Sequence, residues 1–133
     1  MKKKTKKQKK ILQKKILIIE DDSMISSMYK IKLEQAGFFV VIAENGVEGV
    51  ELSISKTPNL ILLDVMLPQM DGFAVLQKIK TDKKTKKIPV IMLTNLGTTE
   101  DMKKGIDLGA DEYLVKANLT PNQISDEINK ILK

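Results

Sequence analysis

Five polar side chains occupy one kind of position in this chain. Glu20-Asp21, Asp64, Thr94 and Lys116 each follow directly on an apolar run: Ile16-Leu17-Ile18-Ile19, Leu60-Ile61-Leu62-Leu63, Val90-Ile91-Met92-Leu93 and Tyr113-Leu114-Val115. Histidine and cysteine are absent, so Ser-His and Cys-His dyads and any thiolate or imidazole metal site are excluded. Carboxylates, hydroxyls and lysines are left as the reactive groups. Three carboxylates held together repel one another, which raises their pKa values unless a cation sits among them. Mg²⁺ suits such a set, because it takes oxygen ligands, keeps several waters and is commonly held by one or two carboxylates and a phosphate oxygen. A lysine ammonium and a threonine hydroxyl supply donors for the other oxygens of a transferring phosphoryl group. Asp64, at the end of the run Leu60-Ile61-Leu62-Leu63, is then the candidate nucleophile, forming an aspartyl-phosphate.

This chemistry requires the five side chains to meet, and the order of elements predicts that they do. Apolar runs without polar alternation suit strands buried on both faces, as in a parallel sheet covered by helices. Strands are expected over 16–19, 38–43, 60–63, 88–93 and 111–115. Helices are expected after each, the first carrying Ile25, Met28, Ile31 (or Tyr29) and Leu33 at helical spacing and stopped by Gly37. The second helix is expected over 44–56, with Val47, Val50, Leu52 and Ile54 apolar and Gly46 and Gly49 weakening it. The third carries Phe73, Val75, Leu76 and Ile79 and leads into a solvated lysine-rich connection over 81–87. The fourth is expected over 98–108. The fifth is capped by Thr120-Pro121, with Ile124, Ile128, Ile131 and Leu132 inward. Asp22 and Asp71 read as helix caps. Alternating strands and helices imply a doubly wound α/β fold with a parallel sheet. In strand order 2-1-3-4-5, the first, third, fourth and fifth strands lie side by side and their carboxyl ends share one rim, where open α/β sheets bind ligands.

The formal charge of +6 misleads, because residues 1–15 hold nine lysines and no acid. The remaining 118 residues carry 14 lysines against 17 acids, a formal −3. The basicity therefore belongs to a tail over residues 1–14, read as disordered, with nucleic acid or anionic membrane as its conceivable partner. Residues 15–133 are one domain's worth of chain. The tail is too poor in apolar residues for a signal peptide, and no apolar run approaches the length that crosses a bilayer. A cytoplasmic location is expected.

In combination the motifs ILIIEDDS (16–23), LILLDVMLPQMDG (60–72), PVIMLTN (89–95) and GADEYLVK (109–116) resemble response-regulator receiver domains of two-component signalling. The resemblance spans about 15–133 and implies a flavodoxin-like (βα)5 fold. It implies that Asp64 accepts a phosphoryl group from the phosphohistidine of a sensor kinase or a phosphotransfer protein. Glu20, Asp21 and Asp64, with the Met66 backbone carbonyl, then hold Mg²⁺. Thr94 is the implied switch hydroxyl, Lys116 the lysine that pairs with the phosphoryl group, and Tyr113 the aromatic residue that turns inward when the threonine moves. The output is a rearranged surface on the fourth helix, fifth strand and fifth helix, which binds an unidentified downstream protein or relays phosphate. Such a chain is not an enzyme but an acceptor that assists its own phosphorylation and dephosphorylation. With no further domain after Lys133, output through a partner is expected. The alternatives are a tail-mediated binder of nucleic acid or membrane gated by phosphorylation, and a scaffold of the same fold that needs no phosphate.

Three departures from the family pattern stand out. Ala117-Asn118 follows Lys116 where the family has a proline in a cis peptide; a cis bond without proline costs roughly 2.5–4 kcal/mol. Asn95 is larger than the usual residue after the threonine. Met66 and Leu96, two positions beyond Asp64 and Thr94, offer no polar side chain to orient a hydrolytic water, so a long-lived phosphorylated form is expected.

Overall fold

Each apolar run becomes a strand, and the residue that ends the run sits where the strand gives way to a loop. A computed structural model describes residues 13–133. The tail expectation over residues 1–14, with the contacts assigned to it, lies outside the described residues except for its last two positions. The elements are β1 (Lys15–Ile19), α1 (Ser23–Gln35), β2 (Phe39–Ala43), α2 (Gly46–Ser55), β3 (Leu60–Leu63), α3 (Gly72–Thr81), β4 (Val90–Thr94), α4 (Thr99–Asp107), β5 (Glu112–Val115), a 3₁₀ turn over Lys116–Asn118 and α5 (Pro121–Leu132).

The five strands are parallel in the order β2-β1-β3-β4-β5. Successive side chains of a strand point to opposite faces, so each apolar run feeds two cores. Leu17, Ile19, Ile61, Leu63 and Met92 pack with Val75, Leu76 and Ile79 of α3 on one face. Ile16, Ile18, Leu60, Leu62, Ile91 and Leu93 pack with Tyr29 and Leu33 of α1 and Ile124 and Ile128 of α5 on the other. Burying one such side chain contributes roughly 1.5–3 kcal/mol, and the polar residues of the strands, Lys15, Thr94 and Glu112, are confined to end positions.

The helix starts follow the sequence closely. Asp22 Oδ1 accepts from the N–H groups of Met24 and Ile25 at 3.0 and 3.2 Å, and Asp71 Oδ1 from Ala74 at 3.0 Å. Thr120 and Gln123 form a reciprocal capping box. No cis peptide occurs among the described residues, so the Lys116–Ala117 bond is trans and the chain turns through the 3₁₀ segment instead.

Three expectations are corrected. In α1 the buried positions are Ser26, Tyr29 and Leu33, while Met28 and Ile31 are exposed together with Met24. In α2, Val50 and Leu52 pack against the core as partly buried side chains, but the fully buried positions are Gly46, Gly49 and Ser53, and Val47 is exposed. A Cβ on Gly49 would lie 2.6 Å from Ile19 Cδ1 and one on Gly46 2.6 Å from the Met70 carbonyl oxygen, so Gly49 lets α2 approach the sheet and Gly46 lets it approach the segment leading into α3. In the connection over 81–87, Thr85 is buried and donates to the Ile79 carbonyl at 2.7 Å, so this loop is fastened to α3 and not merely solvated.

Candidate functional site

The parallel register brings the ends of β1 and β3 together, with Ile19 beside Leu63, so Glu20 and Asp64 emerge as neighbours. Both are buried, at 4% and 6% exposure. Burial of carboxylates is costly without a partner, and Lys116 provides one. Its Nζ lies 2.8 Å from Asp64 Oδ2 and contacts Glu20 Oε1 as well, with only a tenth of the side chain exposed. Backbone groups complete the arrangement: the Asp22 N–H donates to Glu20 Oε2 at 3.1 Å and the Met66 N–H to Asp64 Oδ1 at 3.1 Å.

Asp21, exposed on the same rim, joins this group. Oxygen atoms of Glu20, Asp21 and Asp64 lie within 4.8 Å of one another. Three carboxylate oxygens, one residue open to solvent, form a donor set that fits a hard divalent cation retaining water ligands. Burial raises the pKa of Glu20, against the pull of Lys116 and the Asp22 N–H, with the nearby Asp64 charge raising it further. For Lys116 burial acts downward, but the bonds to Asp64 and Glu20 outweigh it and its pKa is raised.

Thr94 and Tyr113 are engaged differently. Thr94 is fully buried at the end of β4, and its Oγ1 accepts from the Leu96 N–H at 3.3 Å. Tyr113 is buried on β5, and its hydroxyl donates to the Leu96 carbonyl at 2.6 Å. The two residues expected to act as a switch thus hold opposite sides of one backbone residue, and the tyrosine ring is turned inward. Glu20, Asp21, Asp64 and Lys116 are brought together; Thr94 and Tyr113 flank them through the loop after β4. Met66 lies at the mouth with a largely exposed side chain, and Asn95 is exposed.

The role of the Leu96 backbone left no mark in the sequence, because a carbonyl carries no residue identity. Gly72 carried a mark of a different meaning: its place after Asp71 suggests a turn, whereas the structure needs it for space. A Cβ there would lie 2.1 Å from the Asp64 carbonyl oxygen and 2.6 Å from Val65 Cα. Both obstacles are backbone, so Gly72→Ala is expected to destabilise the chain by about 3 kcal/mol in urea unfolding, the upper end of ordinary overpacking. A loss under 1 kcal/mol would show that the loop after Asp64 yields easily.

A second measurement tests the tyrosine. Burial pushes the Tyr113 phenol up from 10.0 to about 12, with the charges of Asp101 and Asp64 adding to it. The neutral phenol is the form favoured by folding, so its contribution is complete below the ordinary value and is lost as pH rises through about 12. The difference in phenolate absorbance between wild type and Tyr113→Phe should have its midpoint well above the ordinary tyrosine value. A midpoint at the ordinary value would place the ring in solvent.

In sequence and in fold the chain is similar to known proteins. The chain is 49% identical over 102 residues to the DNA-binding dual master transcriptional regulator RpaA of Synechocystis sp., covering 77% of this chain and 42% of that protein. It is 38% identical over 123 residues to the probable transcriptional regulator ycf27 of Cyanophora paradoxa, covering 92% and 50%. The match therefore spans about half the length of these curated relatives. Among solved structures, a CheY-like response regulator receiver domain protein from Methanospirillum hungatei JF-1 superposes with a TM-score of 0.84 at 32% identity, covering 90% of this chain and 94% of that one. The sequence profile of the response regulator receiver domain matches residues 16–129, nearly the whole described chain, and the protein belongs to that family.

Proposed function

We propose that this receiver domain is switched by phosphorylation of Asp64, with the phosphoryl group drawn from the phosphohistidine of a sensor kinase or a phosphotransfer protein. The observation that carries this reading is the Lys116 ammonium placed 2.8 Å from Asp64 Oδ2 inside a ring of three carboxylates. The Met66 N–H and Lys116 fix the plane of the Asp64 carboxylate. One of its oxygens attacks phosphorus, the P–N bond breaks, and the electron pair leaves on the imidazole nitrogen of the donor. Glu20, Asp21 and Asp64, with the Met66 backbone carbonyl, would hold Mg²⁺, which neutralises charge on the phosphoryl oxygens when bound. Lys116 stays within reach of a phosphoryl oxygen on Asp64 and keeps the positive charge against it.

The switch follows from the shared anchor. The Thr94 hydroxyl, which now accepts from Leu96, turns to donate to the phosphoryl group, and the Leu96 backbone that Tyr113 holds shifts with it. The face formed by α4, β5 and α5 then changes its population of states for a downstream protein or a DNA-binding output. On this reading the chain works in the cytoplasm as an acceptor that assists its own phosphorylation and is not an enzyme acting on other molecules.

Incubation with acetyl phosphate or beryllofluoride and Mg²⁺ tests the proposal. Intact mass should rise by one phosphoryl group with acetyl phosphate, and beryllofluoride should move the NMR signals of Thr94, Leu96 and Tyr113. No mass gain and no shift would overturn it. Met66 and Leu96 present apolar side chains at the mouth, so the phosphorylated form should lose phosphate slowly, and Leu96→Glu should shorten its life by orienting a water. Loss within seconds, unchanged by Leu96→Glu, would contradict that expectation.

A further inference from the structure

All five strands run the same way, so the rim that carries Asp64 has an opposite edge, where the strands begin. Hydrogen bonds tie the segments of that edge together. The Phe39 N–H donates to the Lys14 carbonyl at 2.9 Å, the Lys15 N–H to Asn59 Oδ1 at 2.7 Å, Lys15 Nζ to the Lys56 carbonyl at 2.8 Å, and the Ile61 N–H to the Pro89 carbonyl at 3.0 Å. The connection from α3 to β4 ends here and presents Lys83, Lys84, Lys86 and Lys87, all exposed and none in an ion pair among the described residues. Its backbone is fixed. Around the buried Thr85, the Asp82 carbonyl accepts from the N–H groups of Thr85 and Lys86 at 3.1 and 2.8 Å, and Asp82 Oδ1 from the Lys84 N–H at 2.8 Å. The nearby Asp111 is engaged by the Val90 N–H at 2.8 Å and by Lys80 at 3.7 Å. Glu34, exposed at the end of α1, is outnumbered by the exposed Lys14, Lys32 and Lys56. Residues 1–12, outside the described residues, add seven lysines and no acid and join the fold at this same edge.

Four like charges within five residues of an ordered turn repel one another, and no contact of the fold offsets that. A connection between a helix and a strand needs no such density. We propose that the edge where the strands begin binds double-stranded nucleic acid through its phosphates, without reading sequence. The chain has no arginine, so the bidentate contacts that read guanine are absent and each lysine meets phosphate as a point charge. A membrane surface is the poorer match. Over 2–10 and 82–87 the lysines are interleaved only with Thr5, Gln8, Asp82 and Thr85, which offer no apolar side chain to a bilayer. A duplex instead presents one negative charge per about 1.7 Å of its axis. The five residues of β1 put this edge about 17 Å from the rim, so a bound duplex stays clear of Asp64 and the acids around it face away from the phosphates.

The test measures binding of the full chain to a fluorescent duplex DNA of mixed sequence over a series of salt concentrations. Two variants of the connection, Lys83→Gln/Lys84→Gln and Lys86→Gln/Lys87→Gln, are compared with Lys30→Gln/Lys104→Gln, which removes the same charge from α1 and α4. Lys104 Nζ stands 4.6 Å from the centre of the Phe73 ring, toward the rim. Each variant of the connection should weaken binding about ten-fold at moderate salt and flatten the dependence of log affinity on log salt by about 0.9 per lost phosphate contact. The helix variant should change affinity less than about two-fold, and so should a duplex of different sequence. Equal weakening by all three variants would assign the effect to net charge and overturn the proposal. No weakening by either variant of the connection, no binding by wild type, or tighter binding to vesicles of phosphatidylcholine and phosphatidylserine at the same salt would overturn it as well. The substituted side chains are exposed and the backbone bonds of the turn remain, so the variants are expected to fold, and an unchanged thermal midpoint checks it.

Discussion

Asp64→Asn is expected to gain no phosphoryl group from any donor, a fall of at least about 10³-fold in rate, while its folding stability stays within about 1 kcal/mol of wild type. The amide has the same shape, and its oxygen can still accept from the Met66 N–H as Asp64 Oδ1 does. Its nitrogen is no nucleophile, and its oxygen carries too little charge to attack phosphorus. Stability changes little because two effects oppose. Lys116 loses one carboxylate but keeps Glu20, and the crowding of three acids within 4.8 Å is relieved. Intact mass and urea unfolding measured on the same preparation separate the outcomes. A variant that is phosphorylated at the wild-type rate would show that another residue is the acceptor.

The second large effect is expected at Lys116. In Lys116→Met, Glu20 and Asp64 are left buried with no cation beside them, and removing one member of a buried charge pair typically costs about 3–5 kcal/mol. The sign with pH discriminates the cause. Burial raises the Glu20 carboxyl above its unfolded value and the lysine that opposed this is gone, so the penalty is absent below about pH 4 and grows as pH rises toward the folded value. Thermal midpoints of wild type and variant should therefore converge toward acid pH and diverge toward neutrality. A difference that is constant across this range would assign the loss to packing of the lysine stem. Phosphorylation should fall by about 100-fold in addition, since the positive charge held against the transferring group is gone.

The contrast between α3 and α1 shows what the sequence could carry. Phe73, Val75, Leu76 and Ile79 make a single apolar stripe on α3, and all four are buried. On α1 two stripes compete: Met24, Met28 and Ile31 fall on one side, and Ser26, Tyr29 and Leu33 on another. Apolar count favours the first, yet the sheet takes the second, because tyrosine offers a large ring and serine lets the helix approach. Hydrophobicity alone does not rank those two faces. The glycines of α2 were misleading for a related reason. Their low helix propensity was visible, whereas the benefit of their small size depends on Ile19 for Gly49 and on Met70 and Val75 for Gly46, residues outside the helix.

At the rim the legible part was the part set by topology. Parallel strands point their carboxyl ends one way, so Glu20, Asp21, Asp64 and Lys116 had to meet once the strand order was known. The family resemblance supplied Tyr113 and Met66, which spacing by itself leaves ambiguous. What no sequence pattern disclosed was the Leu96 backbone between Thr94 and Tyr113 and the ammonium of Lys104 above Phe73. Both depend on how a loop and a helix settle against the sheet, and neither leaves a periodic trace.

β5 is four residues long, and Lys116 follows its last position while Tyr113 is its second. Three residues of extended chain measure about 10 Å. The lysine that meets Asp64 and the phenol that meets the Leu96 carbonyl are thus tied to one short length of backbone, and covalent geometry sets their separation. Repacking the interior should leave that linkage intact, while one residue inserted between Tyr113 and Lys116 should disconnect it.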